Sequence, residues 1–398
     1  MESSNVAATS TRLPGLDTLR ALAILLVFAY HYQGFVSGEA TFGLASELGW
    51  TGVDLFFVLS GYLIGHQLLR TAASPSGLSL PRFWARRLLR TVPAFWVVLA
   101  LYLLFPAVMG GREPPPWWRF VTFTQNIQLI PGTAFSHAWS LCIEEQFYLV
   151  LPLLVAIGVR QRLPRWLGWA LIAAGTVAAM VWRHHLWTRY GSIAGGEIAG
   201  YYPNVYYSTL CRADEFLPGL AIAMFRHHQP LLWQRALAHG QAWLLAGVVA
   251  VGTMFAALSA GYYTDEVGYG MAMTTVGYSL MAWAWAVLLM AALCPGSALH
   301  RWRVPGAAAL ALWSYSIYLT HKPLAHIANN LLMAQGVDRT SLITVAVASL
   351  ASLLGGWLLH VLVERQGLAL RDRWWPDARP GFAAQGVAQP GDKLGSIS

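Results

Sequence analysis

Charge is scarce in this chain. Of its 398 residues only 11% are Asp, Glu, Lys or Arg, whereas 56% are hydrophobic and 13% aromatic. So much apolar surface cannot be hidden in one water-soluble core, and the chain reads as an integral membrane protein. Cysteine is nearly absent as well: Cys142, Cys211 and Cys294 are an odd number and lie in or beside apolar runs. They supply neither a disulfide framework nor a CxxC metal pair, and they read as buried small hydrophobes. Also missing are the ten-residue segments of alternating polarity that mark a membrane β-barrel. No repeat is strong enough for a duplicated transporter half. The formal net charge of +8 is no footprint of nucleic-acid binding, because the basic residues are scattered between apolar runs.

What the chain does have is a succession of apolar runs about twenty residues long, each sufficient for a transmembrane helix. They fall at about Leu16–Phe35, Leu48–Leu69, a third ending near Val108, His137–Arg160, Trp166–Trp182, Val205–Phe225, Ala242–Ala260, Met271–Leu293, Ala307–Ala325 and Leu342–Val363. The expected fold is therefore all-α, a polytopic membrane bundle of about ten transmembrane helices. Three regions follow: a cytoplasmic N-terminal segment (1–15), a transmembrane domain (16–365) and a disordered cytoplasmic tail (366–398). Because Arg12 precedes the first run and no Ala-x-Ala site follows it, that run reads as an uncleaved span. A basic amphipathic helix, Pro81 to Pro93 with Arg82, Arg86, Arg87 and Arg90, leads into the third span. Alternating sides from a cytoplasmic start places most arginines inside, Arg12, Arg70, Arg160, Arg226 and Arg301 among them. Arg112, Arg119, Arg183, Arg189, Lys322 and Arg339 fall near the outer ends.

Ionisable groups inside the spans carry the functional reading, since each costs several kcal/mol in hydrocarbon unless it faces a partner or a wet cavity. Arg20 and His31 mark the first span, Asp54 the second, His137, Glu144 and Glu145 the fourth, Arg212, Asp214 and Glu215 the sixth, and His321 the ninth. Arg20 and His31 are eleven residues apart, about three turns and roughly 16 Å along one helix face. An imidazole in an apolar bundle suits proton abstraction from an alcohol. A carboxylate on its other ring nitrogen, from Glu144 or Glu145, would hold its tautomer. Arginine forks on the cytoplasmic side suit phosphates. Asp54, close to Gly52, reads as a helix cap or as a group that orients a catalytic residue. The remaining glutamate of the Glu144–Glu145 pair is expected to meet an arginine such as Arg212.

Five stretches together resemble the membrane-bound acyltransferase-3 family: Arg20 with ten residues to His31; Gly52-Val-Asp-Leu-Phe-Phe-Val-Leu-Ser-Gly61; Arg87-x-x-Arg90-x-x-Pro93; His137-Ala-Trp-Ser-Leu-x-x-Glu-Glu-Gln-Phe-Tyr148; and Ser314-Tyr-Ser-Ile-Tyr-Leu-Thr-His321. The resemblance implies transfer of an acyl group, usually acetyl, from acyl-CoA to a hydroxyl of a sugar, a glycan or a glycosylated small molecule. It implies His31, Glu144 and Glu145 as catalytic candidates and Arg20, Arg87 and Arg90 as donor contacts; Asp54 joins the catalytic candidates as a group that could orient one of them. Acceptor contacts would come from His137, Trp139, Ser140, Arg212, Tyr318 and His321, with no metal. It also implies an inner-membrane location with both termini cytoplasmic. The esterase-like domain that larger members append is not expected here. Two places depart from the family pattern: Glu215 and Pro218 stand where glycines are expected, and no proline follows Glu364-Arg365. A multi-spanning transporter of a small polar or acylated metabolite is the alternative, distinguished by inverted halves and matching broken helices.

The orientation is directly testable. Single-cysteine labelling with an impermeant reagent should find positions 12 and 301 protected from the outside, and modification of both from outside would reverse the topology.

Overall fold

The computed structural model describes residues 13–376. The segment up to residue 12, Arg12 included, and the expected tail beyond residue 376 lie outside the described residues. Helix α1 (Pro14–Tyr32) starts on a proline, whose fixed φ suits the first helical turn. It runs on into a wide π-type turn, Gln33–Ser37, and stops at Gly38, whose φ of 76° needs a residue without a Cβ. The further long helices are α2 (Thr51–Ala72), α3 (Leu80–Leu104), α4 (Trp139–Arg160) and α5 (Arg165–Tyr190). After them come α6 (Leu217–His228), α7 (Gly240–Gly261), α8 (Tyr278–Leu293), α9 (Ala307–Met333), α10 (Leu342–Leu359) and α11 (Arg365–Trp374). The only ladder among the described residues is a hairpin pairing Tyr263–Thr264 with Gly268–Tyr269.

Eight helices among the described residues are long and apolar enough to cross a membrane, two fewer than the expected ten. The expected sixth span, from Val205, is not one helix. A π-type segment (Glu197–Tyr206) gives way to short turns at Thr209–Arg212 and Ala213–Phe216 before α6 begins. Pro203 and the polar run Arg212-Ala-Asp-Glu215 disrupt a regular α-helical ladder there. The expected ninth, α9, is 27 residues long, about 40 Å, which suffices by length. Ser314, Ser316, Thr320, His321 and Lys322 make it too polar to count by composition.

Two further boundaries differ from expectation. The basic helix and the third span are one continuous helix, α3, with Pro93 inside it. The chain past Val363 is not unstructured from residue 366: with no proline after Arg365, the helix passes through a wide turn at His360–Glu364 and continues as α11. Helix α11 packs on α3, where Gly367 lies against the Leu89 carbonyl and the Pro93 ring. The three cysteines are free and buried.

Helices α2 and α8 are the most enclosed, and α5 and α7 line the edge, exposing Val177, Val181, Leu245 and Val248. Such exposure costs nothing in lipid, so close helix contact must come from shape. Gly61 of α2 and Gly219 of α6 supply it. A Cβ at Gly61 would stand 2.0 Å from the Phe216 carbonyl oxygen, and one at Gly219 2.0 Å from that of Val58. Replacing Gly219 by alanine should therefore push α6 off α2 and destabilise the fold by about 1–3 kcal/mol, as overpacking does. A thermal melt in detergent unchanged from wild type would contradict this contact.

Candidate functional site

Three helical segments bring three histidines together. His31 comes from the last turn of α1, His321 from the middle of α9, and His137 from the turn Ser136–Ala138 that leads into α4. Ring centroids are 4.9 Å apart for His31–His321, 5.5 Å for His137–His321 and 6.1 Å for His31–His137. His321 and His137 are buried, while His31 is partly exposed.

The hydrogen bonds order the tautomers. His321 Nδ1 lies 3.0 Å from the Ile317 carbonyl oxygen, which can only accept, so Nδ1 carries the proton and Nε2 is bare. That Nε2 sits 2.9 Å from His31 Nδ1, so His31 donates there and its own Nε2 keeps a free lone pair. His137 Nε2 likewise donates to the Leu319 carbonyl at 3.2 Å. Its Nδ1 is buried with no hydrogen-bond partner among the described residues. Beside this group, Lys322 places its ammonium 3.3 Å from Ser136 Oγ and 3.6 Å from the centroid of the Phe35 ring.

A second polar region lies nearer the start of α1. Arg20, Arg87 and Arg90 line a cavity of about 370 Å³ that extends past Ser60, Glu144 and Tyr148 to Ser140 and Tyr318. Arg87 lies over the Tyr148 ring at 4.4 Å. Ser60 donates to Glu144 at 3.2 Å, and the Tyr148 hydroxyl donates to Ser60 at 3.0 Å. Glu145 faces Thr91 and Arg87. At the far end Tyr318 forms a partition. Its hydroxyl donates to the His137 carbonyl at 2.6 Å and lies 2.7 Å from Ser140 Oγ, and its ring is 5.9 Å from both His137 and His321. The arginine cavity and the histidine group thus meet at this one tyrosine.

Several expectations are corrected by this arrangement. Neither Glu144 nor Glu145 supplies the partner of His31: both glutamates sit on the arginine side, and a histidine, His321, holds the ring. Arg212 does not meet a residue of that glutamate pair. It is fully buried and binds Asp54 across the bundle and Glu215 on its own segment, with its guanidinium 4.2 Å from the Tyr278 ring centroid and 5.1 Å from that of Trp139. Asp54 is consequently not a helix cap, since α2 has no side-chain cap, and its Oδ1 is held by Arg212. Arg212 and Trp139 are enclosed in this cluster and line neither the arginine cavity nor the histidine group, contrary to the acceptor role expected of them. Arg183, in the last third of α5, is likewise fully buried and pairs with Asp214 at 2.8 Å, with Ser279 on the same carboxylate. Arg212 and Arg183 each have their anion, as a low-dielectric interior requires.

Of the sequence candidates, the structure gathers His31, His137 and His321 in one group and Arg20, Arg87, Arg90, Glu144, Ser140 and Tyr318 around the cavity. Lys322, Ser60, Tyr148 and Tyr30 were not singled out from the sequence as site residues. Lys322 left a signal as a cation directly after His321 in an apolar run, and Ser60 and Tyr148 lie within the quoted stretches that carry the family resemblance. Despite the three histidines, the described residues hold no group of His, Cys, Asp and Glu arranged to bind a metal.

Fold and site together define a multi-pass helical membrane protein with two groups of ionisable residues that meet at Tyr318. Residues 13–361 match the family model described as an acyltransferase domain, and the chain belongs to that acyltransferase-3 family. It is 32% identical to the peptidoglycan O-acetyltransferase OatA of Listeria monocytogenes, over 53% of this chain and 33% of that protein. It is 28% identical to the putative peptidoglycan O-acetyltransferase YrhL of Bacillus subtilis, over 80% of this chain and 50% of that protein. With the O-acetyltransferase OatA of Staphylococcus aureus it shares 36% identity, over 38% of this chain and 26% of that protein. The chain thus spans between about a quarter and a half of the length of these relatives. No solved structure matches it.

Proposed function

We propose that this protein is a membrane O-acyltransferase that moves an acyl group, most simply acetyl, from acyl-CoA to a hydroxyl of a glycan, with His31 as general base. The observation that carries this reading is the chain from the Ile317 carbonyl through His321 to His31, which leaves His31 Nε2 as a free, partly exposed acceptor. The relatives that carry O-acetyltransferase names favour acetyl as the group and peptidoglycan-type sugars as the acceptor class.

In this scheme the acceptor hydroxyl gives its proton to His31 Nε2 as its oxygen attacks the thioester carbon. The new C–O bond forms, the C–S bond breaks, and the proton passes from the imidazolium to the departing CoA thiolate. His321 positions the base and spreads the developing charge toward a backbone carbonyl, the role a carboxylate plays in hydrolytic triads. Lys322, beside Ser136 and Phe35, would stabilise the tetrahedral oxyanion. Arg20, Arg87 and Arg90 would hold the phosphates of CoA at the inner end. The thin pantetheine arm would pass Ser60 and Tyr318 to cover the roughly 16 Å between Arg20 and His31. A donor entering from the cytosol and an acceptor from the far side fit the inner membrane with both termini cytoplasmic.

Two tests separate the parts of this scheme. His31→Ala should lower transfer from labelled acetyl-CoA by about 10²–10⁴-fold without loss of fold. His321→Ala should lose about tenfold or more, with His321→Gln retaining part of the activity because its amide oxygen still accepts from His31 Nδ1. Full activity in folded His31→Ala would end its assignment. Separately, Arg87→Ala and Arg90→Ala should each weaken CoA binding about tenfold, the worth of one charge-assisted contact. Calorimetry giving an unchanged affinity in both would remove the donor site from this cavity.

A further inference from the structure

A second cavity lies beside α1, with Tyr30 in its wall. It measures about 410 Å³ and is lined by Tyr30, Glu47, Trp50, Tyr202, Tyr262 and Tyr269. Tyr30 precedes His31 in the chain, and their ring centroids are 5.6 Å apart, so the cleft begins beside the base. Its walls are flat and braced from behind. Trp50 stacks on Tyr262 at 4.8 Å, Tyr269 stacks on buried Tyr201 at 3.5 Å, and the Tyr262 hydroxyl meets that of Tyr278 at 2.5 Å. The hydroxyls of Tyr30 and Tyr202 hydrogen-bond to each other at 3.3 Å in its lining.

The chemistry of this lining is selective. A concave site with aromatic walls and a few polar groups is the usual form of a small-ligand pocket. Rigid aromatic rings offer broad apolar faces, and their phenol hydroxyls form a polar edge. A pyranose ring has the matching surface, with C–H groups on its face and hydroxyls around its rim. Among the described residues the one charged group in the lining is the exposed carboxylate of Glu47, a hydrogen-bond acceptor for sugar hydroxyls. Among the described residues no cation lines the cleft, so they offer a phosphate, whether of CoA or of a lipid headgroup, nothing to pair with there. The break in the expected sixth span acquires a purpose here, since Tyr202 is presented by the π-type segment Glu197–Tyr206. Such irregular turns recur at functional sites.

We propose that this aromatic cleft is the acceptor subsite, binding an uncharged sugar ring of the glycan next to the one whose hydroxyl reaches His31. The assignment rests on the glycan-acceptor reading above, but it is tested by binding and not by turnover. The full-length protein in nanodiscs should bind a β-1,4-linked N-acetylglucosamine tetramer by saturation-transfer NMR and by quenching of its intrinsic fluorescence. Tyr202→Ala and Tyr262→Ala should each weaken that binding at least tenfold and Glu47→Gln about threefold. Tyr202→Phe, which keeps the stacking face, should stay near wild type and control for loss of fold. Glycerophosphoglycerol, carrying the headgroup chemistry, should not compete.

Failure of the wild type to bind the tetramer, equal binding by both alanine variants, or displacement by the headgroup analogue would overturn the cleft as a sugar subsite. Transfer from labelled acetyl-CoA, measured on the same samples, keeps the two ideas apart. Acetylated glycan with tetramer binding indifferent to Tyr202 and Tyr262 leaves the activity standing and removes the subsite. Cleft-dependent binding with no glycan acetylated does the reverse.

Discussion

The interaction on which the rest depends is the buried clamp of Arg212 on Asp54 and Glu215. It joins α2, the second most enclosed helix, to the irregular segment that stands where a sixth span was expected. In an interior without water an unpaired guanidinium is prohibitively costly, so this segment can adopt its broken path only where Asp54 meets it. Gly61 and Gly219 then let α2 and α6 touch backbone to backbone beside the clamp. Charge pairing sets the register and the glycines set the distance. Arg183 with Asp214 repeats the same solution on α5.

Pairing also separates structural from chemical charges. Arg212, Arg183, Asp54, Asp214 and Glu215 are consumed by one another. Arg20, Arg87 and Arg90 instead line an open cavity, and the histidines bond to backbone carbonyls and to each other. Groups that face space in a low-dielectric bundle are free to act on something else. They fall into two sets, arginines at one end of α1 and imidazoles at the other, with Tyr318 between them. Glu215, a departure from the family pattern, belongs to the structural set, and so bears on how the clamp is built more than on the chemistry.

Much of the site could be seen in the linear chain because its residues are conspicuous: a histidine or arginine in an apolar run has few bland explanations. The histidines and cavity arginines were all nameable from that logic. Their partners were not. A carboxylate was the natural orienting group for His31, yet Glu144 and Glu145 leave α4 facing the arginine side, and a second histidine from α9 fills the role. The tyrosines of the aromatic cleft were hidden for the opposite reason, since aromatic residues at a membrane boundary are ordinary.

Composition and hydrophobic period by themselves determined the helical membrane fold, most of its spans, and which residues were chemically expensive. These are local properties: twenty apolar residues satisfy their backbone within one helix, whatever surrounds them. Only the tertiary structure decided which expensive residues cancel and which remain available. It also decided that one run of apolar residues would break and that another, with His321 in it, would face the first helix. Those outcomes depend on contacts between residues up to 290 positions apart, as for His31 and His321. No local period records which helix will be the neighbour.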